Sequence, residues 1–146
     1  MTAKLPVLPP HPAVYLKTRD ELTSYLRTRG FQNFVREGYI SISLDLGGPV
    51  DNEIEAYLLD DQVRFVTVTP FEVPDAKLAL VALAVERINE QLGFPVWRVL
   101  PVLSATYTVT LDHTGALSSR AVEYAIALLS DALVRDMPAL GKLLGK

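Results

Sequence analysis

The chain has 146 residues, 49% apolar and 21% charged, with a net charge of −3 and no cysteine. That balance is globular and not disordered, and the length suits one domain with an ordinary core. Without cysteine there is no disulfide framework, thiol nucleophile, zinc finger or iron–sulfur cluster.

The charge is unevenly spread. Residues 1–38 carry six Lys/Arg against three Asp/Glu, residues 39–93 three against ten, and residues 94–146 five against four. A phosphate-tracking surface needs clustered Lys and Arg, so the acidic middle argues against direct nucleic-acid binding. The opening stretch is cut by Pro6, Pro9, Pro10 and Pro12, which leaves no continuous apolar region of the kind a signal peptide needs. The longest unbroken apolar run, Leu78–Val85, is far short of the roughly 20 residues of a membrane helix. The expectation is a cytoplasmic protein without a membrane segment. Residues 1–15 read as a proline-rich extended arm and residues 16–146 as one α+β domain.

A first helix is expected over Arg19–Arg29. Thr18 stands at the N-cap, Glu21 follows at capping-box spacing, and Gly30 supplies the stop. Strands follow over Phe31–Arg36, Tyr39–Leu46, Glu53–Leu59 and Gln62–Thr69. In the second, Ile40, Ile42 and Leu44 alternate with Ser41, Ser43 and Asp45. In the third, Ile54, Ala56 and Leu58 point inward and Glu53, Glu55 and Tyr57 outward. Gly47-Gly48-Pro49 and Asp60-Asp61 break the run, and links this short imply an antiparallel meander. A second helix spans Asp75–Leu92, closed by Gly93. Two more strands, Pro95–Val102 and Ala105–Leu111, lead through the Asp112–Gly115 turn to a third helix. That helix has Ser118 as its N-cap, carries Val122, Ile126, Leu129 and Leu133, and is expected to be interrupted at Pro138, with a last turn or two over Ala139–Leu144. The sheet therefore has five or six strands.

Candidate chemistry is thin. His11 and His113 have no spaced partners for a metal site or a triad. Leu46-Gly-Gly-Pro lacks the Lys-Ser/Thr of a phosphate loop, and the acidic residues of 45–61 lack calcium-loop spacing. Glu53 and Glu55 alternate on one strand face with no basic group beside them. Trp97 reads as core. No catalytic residue, cofactor or metal ligand is assigned.

The second helix departs from an ordinary surface helix. At 100° per residue, Leu78, Val81, Val85, Ile88 and Leu92 form the stripe that a sheet demands. Ala76, Ala79, Leu80, Leu83 and Ala84 stand on the opposite arc, with Arg87 and Glu90 behind them. A surface helix should be polar there. Either another helix of the same chain covers this arc, or a second subunit does. The expected interface is Ala76, Ala79, Leu80, Leu83, Ala84 and Arg87, closed by two-fold symmetry.

The opening helix ends in Arg29-Gly-Phe31, and the last meander strand runs through Val68-Thr-Pro70-Phe-Glu-Val-Pro74 into an aliphatic helix bearing Arg87-Ile-Asn89. In this order and texture, over about Leu16 to Leu144, the chain resembles the YbjN-like family of bacterial sensory transduction regulators, whose fold is similar to type III secretion chaperones. The resemblance implies an α–βββ–α–ββ–α arrangement, a homodimer, and a role in holding or regulating an unidentified partner protein. It implies no catalytic residues. A different expectation is a small-ligand regulator with a pocket between sheet and helices near Trp97 and Tyr107.

Overall fold

A computed structural model of the chain describes residues 12–46, 52–93, 95–99 and 102–145. In chain order the elements are β1 (Tyr15–Leu16), α1 (Arg19–Thr28), β2 (Asn33–Val35), β3 (Ile40–Leu44), β4 (Asn52–Leu58) and β5 (Gln62–Val68). Then come α2 (Leu78–Leu92), β6 (Val96–Arg98), β7 (Ser104–Thr110), β8 (Leu117–Ser118) and α3 (Ser119–Leu143). The fold is α+β, with the order α-ββββ-α-ββ-α on the main sheet and a two-stranded sheet beside it. The Gly47–Pro49 break and the first 11 residues of the proline-rich arm lie outside the described residues.

The main sheet is antiparallel throughout, in the order β2-β3-β4-β5-β7-β6. Strands β2 to β5 pair consecutively, and β7 returns beside β5 with Gln62 opposite Thr110 and Val68 opposite Ser104. Period-two alternation decides which face is wet. Ile40, Ile42, Ile54, Ala56, Val63, Phe65, Ala105 and Trp97 are buried beneath the helices. Ser41, Glu53, Glu55, Tyr57, Arg64 and Thr108 occupy the other face. Leu58, expected inward, is exposed at the end of β4, where it lines a hollow of about 470 Å³ beside Thr18 and Tyr39.

The local signals act as their chemistry predicts. The Thr18 hydroxyl accepts from the Glu21 N–H at 3.1 Å, and the chain leaves α1 through Gly30 at φ 83°. Ser118 caps α3, its hydroxyl accepting from the Arg120 N–H. At the foot of the molecule β1 pairs with β8, Tyr15 opposite Ser118, while the Ser119 hydroxyl accepts from the Val14 N–H at 2.9 Å. Val14 and Tyr15 are thus bonded into the fold.

Two further expectations are corrected. The strand expected over Pro95–Val102 is only Val96–Arg98 among the described residues. Pro138 does not break the third helix, which runs unbroken from Ser119 to Leu143. A proline inside a helix costs about 3 kcal/mol through its lost N–H bond and its ring clash. Beyond it Leu140 and Leu144 are buried, and burial of such side chains returns roughly 1.5–3 kcal/mol each. Lys77 also donates to the Leu143 carbonyl at 2.9 Å, satisfying one of the orphan acceptors at the helix end.

Candidate functional site

The structure places α2 against β6 and α3, preceded by a 3₁₀ turn at Asp75–Lys77 and followed by Gly93 at φ 72°. Val81 and Val85 are buried, and Ile88 packs partly buried against the core, as the inner stripe requires. The Leu92 side chain lies outside the described residues. Ala84 is half-buried and also packs on the core, at the flank of the outward arc.

The remaining outward residues are uncovered. Leu80 is 51% exposed and Leu83 46% exposed, and Ala76, Ala79 and Arg87 are exposed beside them. Neither α1 nor α3 covers this arc. Its first three turns are apolar, and its last turns carry Glu86, Arg87, Glu90 and Gln91.

Three ties hold α2 in place. At its start the Lys77 ammonium donates to the Leu143 carbonyl at the end of α3. In its middle, Val81 and Val85 anchor it in the core. Near its end Asn89 acts as a surrogate strand for β6: its side-chain oxygen accepts from the Trp97 N–H at 2.8 Å and its amide donates to the Trp97 carbonyl at 2.9 Å. One side chain therefore satisfies both outward backbone groups of Trp97 on the edge strand, which blunts that edge against pairing with another chain.

Trp97 itself is 1% exposed, and its indole N–H donates to the Asp136 carboxylate at 2.9 Å, joining β6 to α3. Arg135 holds the same carboxylate at 3.0 Å, so the buried charge is paired. Outside β6 lies an open groove of about 600 Å³ between Val85, Glu86 and Asn89 on one side and Val96, Arg98 and Val99 on the other. The hollow near Trp97 is thus along the sheet edge, while Tyr107 is half-buried edge-on against Tyr124, ring centroids 5.7 Å apart.

Glu53 and Glu55, the carboxylate pair on a shared strand face, are engaged in local bonds. Glu53 accepts from the Ser41 hydroxyl at 2.6 Å, and Glu55 from the Tyr57 hydroxyl at 2.8 Å. Burial, then the bond to Glu55, pushes the Tyr57 phenol up to about 12. His113 is exposed in the turn whose neighbour, Asp112, caps the Thr114 and Ala116 N–H groups. The Thr114 hydroxyl and the Ala116 N–H hold the Asp112 carboxyl down at about 2. His11 lies outside the described residues. Among the described residues no three His, Cys, Asp or Glu side chains are grouped to hold a metal. No helix of the described residues is long and apolar enough to cross a membrane.

Sequence reasoning missed one cluster. Tyr25 and Arg29 of α1 both donate to the Glu123 carboxylate of α3, Arg29 at 3.1 Å. Burial and the bond to Glu123 raise the Tyr25 phenol above its ordinary range. No local spacing announces a contact between residues almost a hundred positions apart. It ties α1 to α3 at the side of the fold away from the α2–β6 contact. Comparison of the chain with protein-family models, curated proteins and solved structures finds no match.

Proposed function

We propose that the chain is a non-catalytic protein-binding module, chaperone-like or regulatory, that works in the cytoplasm as a homodimer and engages a partner protein through apolar surface. The observation that carries this reading is the uncovered stripe Ala76–Ala79–Leu80–Leu83 on a helix pinned at both ends. Contiguous apolar surface on a soluble chain marks a contact surface, and the commonest contact is with a second copy. The element order supports the reading as well, since it is the one that the YbjN-like resemblance implies with one further strand. With α2 occupied by a second copy, Phe34 and Val35 on the β2 edge and Val68 and Val96 on the sheet remain as exposed apolar side chains for a partner.

A permanently unfolded, carboxymethylated test protein is the direct probe of this role. Titrated with the wild-type chain, it is expected to bind saturably, with a stoichiometry counted in dimers. Absence of binding at every ratio would remove the chaperone-like reading and leave only the dimer.

The α2–β6 groove favours a second reading, a small-ligand-binding regulatory domain. A thermal-shift screen with metabolites and nucleotides separates the two, because a ligand bound only to the native state raises its apparent stability.

A further inference from the structure

The last turns of α3 differ in kind from the rest of it. Up to Asp136 the helix is fixed: Leu129 and Leu133 are buried in the core, and the Trp97 indole holds the Asp136 carboxylate at 2.9 Å. Two residues on comes Pro138, which has no N–H to give the carbonyl four residues back and whose ring crowds it. Beyond it the sequence runs Ala139-Leu-Gly-Lys-Leu-Leu-Gly145, with one glycine inside the helix and another just past its end. A stretch this short, with this composition, cannot hold a helix by itself.

What holds it is tertiary, and it is little. Leu140 and Leu144, four apart and so on one face, are buried, and Leu143 packs half-buried beside them. Ala139, Lys142 and Gly145 are exposed. Among the described residues, one hydrogen bond reaches residues 139–145 from outside α3, that of the Lys77 ammonium to the Leu143 carbonyl. Among the same residues no ion pair reaches them.

A fixed arm, a hinge, an apolar underside and a single latch together make a lid. Resting on the protein-binding reading above, we propose that residues 139–145 swing about Pro138 as one unit, latched by Lys77, and that opening uncovers apolar surface for the partner at the start of α2. The open lid frees Leu140, Leu144 and the seats they fill. The Lys77 bond places that surface at the end of α2 where Ala76, Ala79 and Leu80 already stand exposed. The partner's apolar segment binds the open form, so its apparent affinity scales with the fraction of molecules that are open.

Native-state hydrogen exchange on the full chain reads the lid without any partner. The amides of 140–145 are expected to exchange together, at least about tenfold faster than those of Ile126–Leu133. Lys77→Met, which keeps the stem and removes the donor, is expected to speed them by about fivefold. Pro138→Ala restores the helical bond and is expected to slow them by about tenfold or more. Equal rates on both sides of Pro138 would overturn the lid. So would a graded loss of protection running in from the C-terminus and unmoved by Pro138→Ala, which is ordinary fraying of a helix end. The second arm titrates the carboxymethylated unfolded protein against the same three chains. Lys77→Met is expected to bind it about fivefold more tightly than wild type, and Pro138→Ala more weakly. Equal binding by all three chains would overturn the gating and leave the protein-binding reading standing. No binding by any of them would remove that reading and the gating with it, while exchange still decides the hinge.

Discussion

The second and third helices are both rich in alanine, leucine and valine, yet they dispose of those residues differently. Along α3, Val122, Ala125, Ile126, Leu129, Ala132, Leu133 and Leu140 are buried, while Arg120, Asp131, Arg135 and Lys142 face outward. Most of its apolar surface is used within the chain, with Tyr124 left exposed. Along α2 the inner stripe is buried in the same way, but the outer arc repeats the apolar character for three turns before charge returns at Glu86 and Arg87. A helix with one apolar face needs only its own domain, whereas one with two needs a second partner. Equivalent substitutions on the two helices should therefore act on different quantities.

The largest loss of stability belongs to α3. Leu133, 1% exposed, lies in the middle of the core, and Leu133→Ala is expected to cost about 2–5 kcal/mol in a urea titration, through lost transfer energy and the cavity left behind. A cost below 1 kcal/mol would mean that α3 is not the packed helix described. Trp97→Phe comes next. It keeps most of the ring in place but removes the indole N–H from Asp136, at an expected cost of about 1–3 kcal/mol. Because Arg135 still holds that carboxylate, the effect should sit below that of Leu133→Ala. An unchanged midpoint would show that the link between β6 and α3 does not contribute to stability. The outer residues of α2 are expected to contribute least of all to the stability of a single chain, since they bury little within it.

The architecture was largely legible, because it rests on local chemistry. Thr18, Gly30, Gly93 and Ser118 bound their helices by caps and left-handed stops, and Ile40 through Leu44 show their pleat in plain alternation. The outward stripe of α2 was legible for the same reason: a period of 3.6 residues can be read from the chain without knowing what lies beside it. What escaped depends on distant partners. Pro138 signals a break, and only the burial of Leu140 and Leu144 carries the helix through it. Asn89 looks like one more polar helix residue until β6 arrives alongside it, and Asp136 looks like a surface charge until Trp97 donates to it. The pairing of β1 with β8 joins segments a hundred residues apart, with two residues each and no pattern to announce them. Ala84 sits where the two arcs of α2 meet, a boundary that a projection at fixed angle does not resolve.

The central claim is that the outer stripe of α2 is buried against a second copy of the chain. Light scattering of the wild-type chain beside the Leu80→Asp/Leu83→Asp variant tests it most directly, with circular dichroism to establish that the variant is folded. The account predicts a wild-type mass of twice 16.1 kDa and a folded variant at 16.1 kDa. A folded variant that keeps the wild-type dimer mass, or a wild-type chain that is monomeric throughout, would contradict it.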